Sequence, residues 1–229
     1  RLTRLVENIL DLIMLRSGRR PLNRQPTDIR AVLQRAHAVW QTASSTREIV
    51  VACEGLPQVY MDAQAVGEVM DHLLRNALRH APERTEIRIT SQTLDGFVEV
   101  AVADRGPGLT PDQVKQLFVP FTHLQTPEAP GSQGSGLGLS LCRQVIERHH
   151  GTIQAESSEG QWTTIRFTLP VATARFLLEE ACRSAEEAAE AEQAQYALIV
   201  VAPAGTCTPP SATLQEAARV LRHDTHQGD

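Results

Sequence analysis

Three short segments, in one order in one chain, constrain this sequence most: HLLRNALRHA (His72–Ala81), DRGPGL (Asp104–Leu109) and GSGLGLSL (Gly134–Leu141). The first has the spacing of an amphipathic helix with an amide on its polar face. The second is an acidic strand end running into a glycine turn. The third is a glycine-rich loop opening a helix. Together they offer a cation ligand, a base-reading carboxylate and a phosphate cradle.

The rest of the chain supplies their setting. Val66, Val69, Met70, Leu73, Leu74 and Ala77 recur at spacings of three and four, which predicts a helix over 63–80 with one buried stripe; Glu68, His72, Asn76 and Arg79/His80 repeat on another face. Pro82 discourages its continuation. An earlier helix is expected from a cap at Thr27 to about Trp40, and a later one over about 137–149, stopped by Gly151. Strands are expected at 49–53, 85–93, 97–104, 152–157 and 163–169. Residues 122–136, rich in Gly, Pro, Gln, Ser and Thr, read as a loop, and His123 and Gln133 within it are assigned nothing beyond polar exposure.

Residues 1–17 carry a broad apolar stripe (Leu2, Leu5, Val6, Ile9, Leu10, Leu12, Ile13, Met14), wide enough for a four-helix bundle rather than a two-stranded seam. The chain starts at Arg1 inside that pattern, as expected for a piece of something longer. After Pro170 the composition changes: an Ala/Glu-rich helix over 174–195, the apolar run ALIVVAP, and a helix over about 211–223.

Composition excludes several functions. The net charge of −5 gives no global basic field for nucleic acid. No run approaches the ~20 apolar residues of a membrane helix. The four cysteines (Cys53, Cys142, Cys182, Cys207) lack metal-site spacing and read as reduced, buried thiols.

Each motif carries chemistry in its own right. Asn76 can offer its carbonyl oxygen to a hard cation such as Mg²⁺, which takes one or two protein oxygens and completes its shell with phosphates and water. Asp104 can accept a hydrogen bond from the exocyclic amine of adenine and would repel the carbonyl of guanine. Gly106 and Gly108 permit a tight turn and close approach of a base. Gly134, Gly136 and Gly138 let backbone N–H groups point at an anion, backed by a helix start. Alone, each has a bland alternative: a solvated helix face, a surface turn, an ordinary glycine loop.

In combination they resemble the ATP-binding domain of sensor histidine kinases, within the wider group of gyrase-like, Hsp90-like and MutL-like ATPases, over about residues 1–170. The family's helix reads N-x-x-x-N-A-x-x-[YF]. Here His72 replaces the first Asn, Asn76 keeps the second, Arg79 keeps the basic position and His80 replaces the aromatic. The resemblance implies Asn76 as Mg²⁺ ligand, Arg79 and His80 at the nucleotide, Asp104 as adenine reader, and Gly106, Gly108, Gly134, Gly136, Leu137 and Gly138 lining the nucleotide. His72 takes a catalytic position as a poor Mg²⁺ ligand able to hydrogen-bond a phosphate or water. QLFVPF resembles the family's phenylalanine box, with Phe118 and Phe121 open to either core packing or ligand contact. GQWTTIRFTLP resembles G-x-G-T-x-F, with Trp162 and Ile165 departing and Thr163 able to support the Asp104–adenine bonds.

The implied fold is a two-layer α/β sandwich of the Bergerat type with a mixed sheet. A stub of a dimerisation helix (1–22) precedes the catalytic domain (23–172). Residues 173–229 form a short α/β segment resembling a truncated GGDEF-like or receiver-like opening, or a docking element. The implied cofactors are ATP and Mg²⁺. The implied partners are a second copy through the N-terminal helix and a response regulator, with no nucleic acid, and the implied localisation of this portion is cytoplasmic. None of the eight histidines has the context of a phosphoacceptor, which is expected upstream. Two alternatives stand beside this reading: a degenerate kinase serving as a nucleotide-binding or interaction platform, motivated by His72, His80 and Trp162, and a kinase acting on a protein serine.

Overall fold

A computed structural model describes residues 21–44, 46–53, 55–122 and 136–192. The expected helix over 1–17, most of the 122–136 loop with Gly134, and the strand and helix after 195 lie outside the described residues. The chain divides into two compact units, Arg1–Glu179 and Glu180–Asp229.

In the first unit the order is β1 (Gln25–Thr27), α1 (Ile29–Ala43), β2 (Glu48–Ala52), β3 (Val59–Met61), α2 (Ala63–His80), β4 (Glu86–Leu94), β5 (Phe97–Asp104), α3 (Pro111–Gln116), α4 (Gly138–Glu147), β6 (Ile153–Ser158), β7 (Trp162–Pro170) and the start of α5 (Ala174–Glu192). Five strands form a mixed sheet, β2-β4-β5-β7-β6, with only β2 and β4 parallel; β1 and β3 make a separate antiparallel pair. Between residues 180 and 192 the second unit is the continuation of α5, with Arg183 paired to Glu180 at 3.2 Å.

Alternation along the strands explains the two layers. In β5, Val98, Val100, Val102 and Asp104 are buried on one face; in β7, Thr163, Ile165, Phe167 and Leu169 lie on the same side. Against it pack Ile29 and Leu33 of α1, Val66, Met70, Leu73 and Leu74 of α2, and Leu141, Val145 and Ile146 of α4. The other face is polar: Arg166 reaches both Glu99 and Glu156 there. The expected sandwich is therefore present, with α1, α2 and α4 packed on one face of the sheet.

Helix α2 spans the predicted 63–80, and the predicted stripe is the buried one, joined by Ala65. Asp62 caps it, its carboxylate accepting from the N–H groups of Gln64 and Ala65 at 3.0 Å. The cap predicted at Thr27 is a correction: Asp28 caps α1, accepting from Arg30 N–H at 3.0 Å, because Thr27 is held in β1 opposite Val59. Helix α4 ends at Glu147, short of the expected 149, since His150 adopts a φ of 59°. Two elements were not predicted as such. The β1–β3 pair is only three residues a side, and α3 is a single short helix, although Thr110-Pro-Asp-Gln carries both a capping box and a proline in its first turn. Of the cysteines, Cys142 is buried as expected, but Cys53 and Cys182 are only half-buried; Cys207 lies outside the described residues.

His149 joins two of these helices. It is fully buried, with Nδ1 2.7 Å from the Val145 carbonyl and Nε2 2.9 Å from the Asp62 N–H. A carbonyl can only accept, so the proton sits on Nδ1 and Nε2 accepts from Asp62. Burial drives the imidazole below its ordinary 6.5, outweighing the Val145 bond, and the neutral ring is the one that fits. A depressed folded-state value means that the His149 contribution is intact above 6.5 and is lost as pH falls below it. We expect urea denaturation of the wild type to lose stability between pH 7.5 and 5.5 at up to about 1.4 kcal/mol per pH unit relative to His149→Gln, which keeps every other titrating group. Parallel pH profiles would exclude this role.

Candidate nucleotide site

The site forms where the C-terminal end of β5, the polar face of α2 and the start of α4 meet. Asp104 ends β5 and is only 8% exposed. Its Oδ1 accepts the Gly106 N–H at 2.8 Å, the only hydrogen bond of this carboxylate among the described residues. Burial raises its pKa from 3.8 to about 6, the Gly106 bond offsetting only part of that cost. Among the described residues this carboxylate has no cation beside it and its second oxygen accepts no hydrogen bond, so that oxygen is open to a donor from a ligand.

The glycine turn is built around that carboxylate. A Cβ on Gly106 would stand 2.7 Å from Asp104 Oδ1 and 3.2 Å from the His80 carbonyl oxygen, so the turn closes only over a hydrogen atom. Gly108 has φ 66°, and a Cβ there would overlap the Ser158 carbonyl oxygen. Gly160 N–H donates to the Pro107 carbonyl at 2.6 Å and Leu109 N–H to Ser157 Oγ at 2.8 Å, pinning the turn to the β6–β7 connection.

Helix α2 delivers the polar side chains. His72 and Asn76 are half-buried one turn apart, Arg79 is exposed, and His80 is half-buried. Burial, with Arg79 beside it, lowers the His80 pKa, so the ring is neutral near pH 7. His80 meets the glycine turn through its backbone carbonyl. Asn76 makes no side-chain hydrogen bond within the described residues, and its carboxamide remains available. His72 Nδ1 stands 3.1 Å from where a Cβ on Gly138 would be, so α2 and the start of α4 touch at this point.

Leu137 is fully buried and precedes α4 with no side-chain cap; Ser140 Oγ donates back to the Leu137 carbonyl at 2.9 Å. The first N–H groups of α4 thus have no carbonyl within the helix, which is the arrangement that favours an anion. Phe121 N–H donates to the Gly136 carbonyl at 2.9 Å, bringing together the two ends of the intervening segment. Phe118 packs against the core, whereas Phe121 is 58% exposed, so core packing holds for the first and not for the second.

The structure thus sets His72 of α2 against Gly138, and the His80 carbonyl against Gly106 beside Asp104 and its register partner Thr163, with Asn76 on α2 between these two contacts; Gly108 continues the turn, Gly136 and Leu137 lead into α4, Arg79 is exposed, and Gly134 lies outside the described residues. Thr163 is the register partner of Asp104 on β7 and is 8% exposed. Trp162, in place of the family's second glycine, opens β7 opposite Ser158. Sequence reasoning missed Ser157, whose hydroxyl touches Leu109, Trp162 and Thr163. Its signal is the β6–β7 register, which a linear motif does not carry. Among the described residues no group of three or more His, Cys, Asp or Glu could hold a metal alone. The Asn76 carboxamide could supply one oxygen to a cation whose remaining ligands are a bound molecule's phosphates and water, the coordination that Mg²⁺ favours. No helix among the described residues is long and apolar enough to cross a membrane.

Comparison with known proteins agrees with this geometry. Residues 61–173 match the family of histidine kinase-, DNA gyrase B- and HSP90-like ATPases. The histidine protein kinase DivJ of Caulobacter vibrioides is 31% identical over 170 residues, covering 73% of this chain and 28% of the relative. The adaptive-response sensory kinase SasA of Synechocystis is 30% identical over 172 residues, covering 73% of this chain and 44% of the relative. The chain thus spans less than half the length of either. Among solved structures, full-length ShkA in complex with AMPPNP is 27% identical with a TM-score of 0.66, over 76% of this chain and 36% of that one. The buried carboxylate, the glycine turn and a helix start without a side-chain cap stand inside the matched stretch, and residues 61–173 belong to the histidine kinase-, DNA gyrase B- and HSP90-like ATPases.

Proposed function

We propose that these residues hold Mg²⁺-ATP and present its γ-phosphoryl group to a histidine on a dimerisation segment, from which it passes to a response regulator. The observation that supports this most is the Asp104 carboxylate, buried and, among the described residues, without a cation and with one oxygen that accepts no hydrogen bond. Asp104 accepts from the adenine amine, which selects the base; Thr163, its register partner, supports that edge. Gly106 and Gly108 let the base approach the backbone. The N–H groups at the start of α4, from Leu137 and Gly138 onward and extended by Gly134 and Gly136 in the loop, hold the phosphates, joined by Arg79 from α2. Neutral His80 closes the adenine side through its backbone. Mg²⁺ held by the Asn76 carboxamide oxygen would neutralise charge on the phosphate oxygens. His72, set against Gly138, serves the phosphates or their water as a donor rather than the metal as a ligand.

Positioning and charge stabilisation make up most of phosphoryl transfer, so this portion binds ATP and relies on a second element for the acceptor. No histidine of this chain has an acceptor's context. A second copy joined through the segment over 1–17, and a cytoplasmic setting for this portion, belong to the same proposal.

Titration with AMPPNP tests it. We expect micromolar, magnesium-sensitive binding, with Asn76→Ala lowering the affinity about tenfold in Mg²⁺ and having little effect in EDTA. Absence of binding at millimolar ligand would favour an interaction platform that has lost its nucleotide. With radiolabelled ATP and a protein that carries the acceptor helix, the transferred phosphate should be acid-labile; an acid-stable product would point to serine.

A further inference from the structure

Across the sheet end, Ser157, Thr163 and Asp104 are register partners on β6, β7 and β5, so their side chains stand in one row on the helix-covered face. Ser157 Oγ is 2.7 Å from the Trp162 carbonyl oxygen, 2.8 Å from the Leu109 nitrogen and 3.0 Å from Thr163 Oγ1. A serine hydroxyl has one proton and two lone pairs. The Trp162 carbonyl can only accept, so the Ser157 proton goes there. The Leu109 N–H can only donate, so it takes one lone pair. The second lone pair is left for Thr163, whose own proton must point at Ser157. The Thr163 hydroxyl is then left with lone pairs and no hydrogen to offer a ligand.

We propose that Ser157 is a positioning residue that sets base selectivity: by committing the Thr163 proton, it makes the row beside Asp104 present two acceptors and no donor to the base edge. An exocyclic amine has two hydrogens for two acceptors. A carbonyl in its place meets lone pairs on both sides, and a buried mismatch of that kind is costly. Were the Thr163 hydroxyl free to turn, it could donate to such a carbonyl and soften the discrimination. This inference rests on the nucleotide reading above.

The test compares dissociation constants for AMPPNP and its 6-oxo counterpart, inosine 5′-(β,γ-imido)triphosphate. Ser157→Ala should reduce the adenine-over-hypoxanthine preference about tenfold, Ser157→Thr should retain it, and in a Thr163→Val background Ser157→Ala should change it no further. If Ser157→Ala weakens both ligands by one factor and leaves the preference intact, Ser157 merely anchors the turn and the inference fails. If Ser157→Ala does not fold, the Ser157→Thr and Thr163→Val pair still decides: a preference unmoved by Thr163→Val removes the acceptor on which the inference depends. Wild-type protein that binds neither ligand overturns the nucleotide reading itself, a different result from either.

Discussion

Asp104→Asn should lower affinity for AMPPNP about 100-fold and at the same time make the ligand-free protein more stable. Both effects follow from one carboxylate that is 8% exposed and, among the described residues, has only the Gly106 N–H as a partner. An adenine amine meeting a carboxylate makes a charge-assisted bond, worth about 1.5–3 kcal/mol; an amide in its place offers a neutral acceptor at best and a second donor at worst. Without ligand the balance reverses. The rise of the Asp104 pKa from 3.8 to about 6 means that ionisation near neutral pH opposes folding, by roughly 3 kcal/mol at about 1.4 kcal/mol per tenfold change. The folded-state value is raised, so this group's contribution is fully present below 3.8 and lost as pH rises through about 6. Asparagine removes that loss while its oxygen can keep the Gly106 bond, and after the amide's own burial a gain of about 1–2 kcal/mol remains. Calorimetric titration and urea denaturation at pH 7.5 check the pair. Nucleotide affinity of the wild type, corrected for the phosphates' own titration, should fall below about pH 6. A variant that binds as well as the wild type would remove the carboxylate from the site.

The opposing signs of Asp104 and His149 show what a sequence carries and what it withholds. Helix α2 was legible to the residue because six apolar positions at helical spacing leave no second way to bury them. β5 was legible for the equivalent reason at period two. Asp104 and the glycines were legible because their roles depend on short, contiguous spacing. His149 was not: its neighbours are Val145, one turn back, and Asp62, 87 residues away in sequence. Ser157 was not, since its partners are fixed by the register of β6 on β7 and by the return of the glycine turn. Thr27 misled because a threonine before a helix fits a cap locally, while pairing with β3 held it in a strand and passed the cap to Asp28. In each case long-range pairing decided the outcome.

Gly108→Ala should cost about 3–5 kcal/mol and abolish nucleotide binding. Two penalties add at this position. The left-handed φ of 66° costs an L-residue about 1–2 kcal/mol by itself. The new methyl would also overlap the Ser158 carbonyl and come within 2.9 Å of Glu159 Cα, and both obstacles are backbone. Relief requires the turn to leave the β6–β7 connection, which breaks Gly160 N–H to Pro107 and Leu109 N–H to Ser157, at about 1 kcal/mol each. For a unit of this size each kcal/mol shifts the melting temperature by about 2–4 °C, so a fall of about 6–20 °C is expected. Gly96→Ala is the control, because its φ of 81° carries the conformational penalty with nothing within 4 Å of the added carbon. The difference between the two variants isolates the close approach of turn and sheet. If Gly108→Ala melts within 2–3 °C of Gly96→Ala and still binds AMPPNP, the turn does not depend on that contact, and the positioning of Asp104 and Thr163 must come from the strands alone.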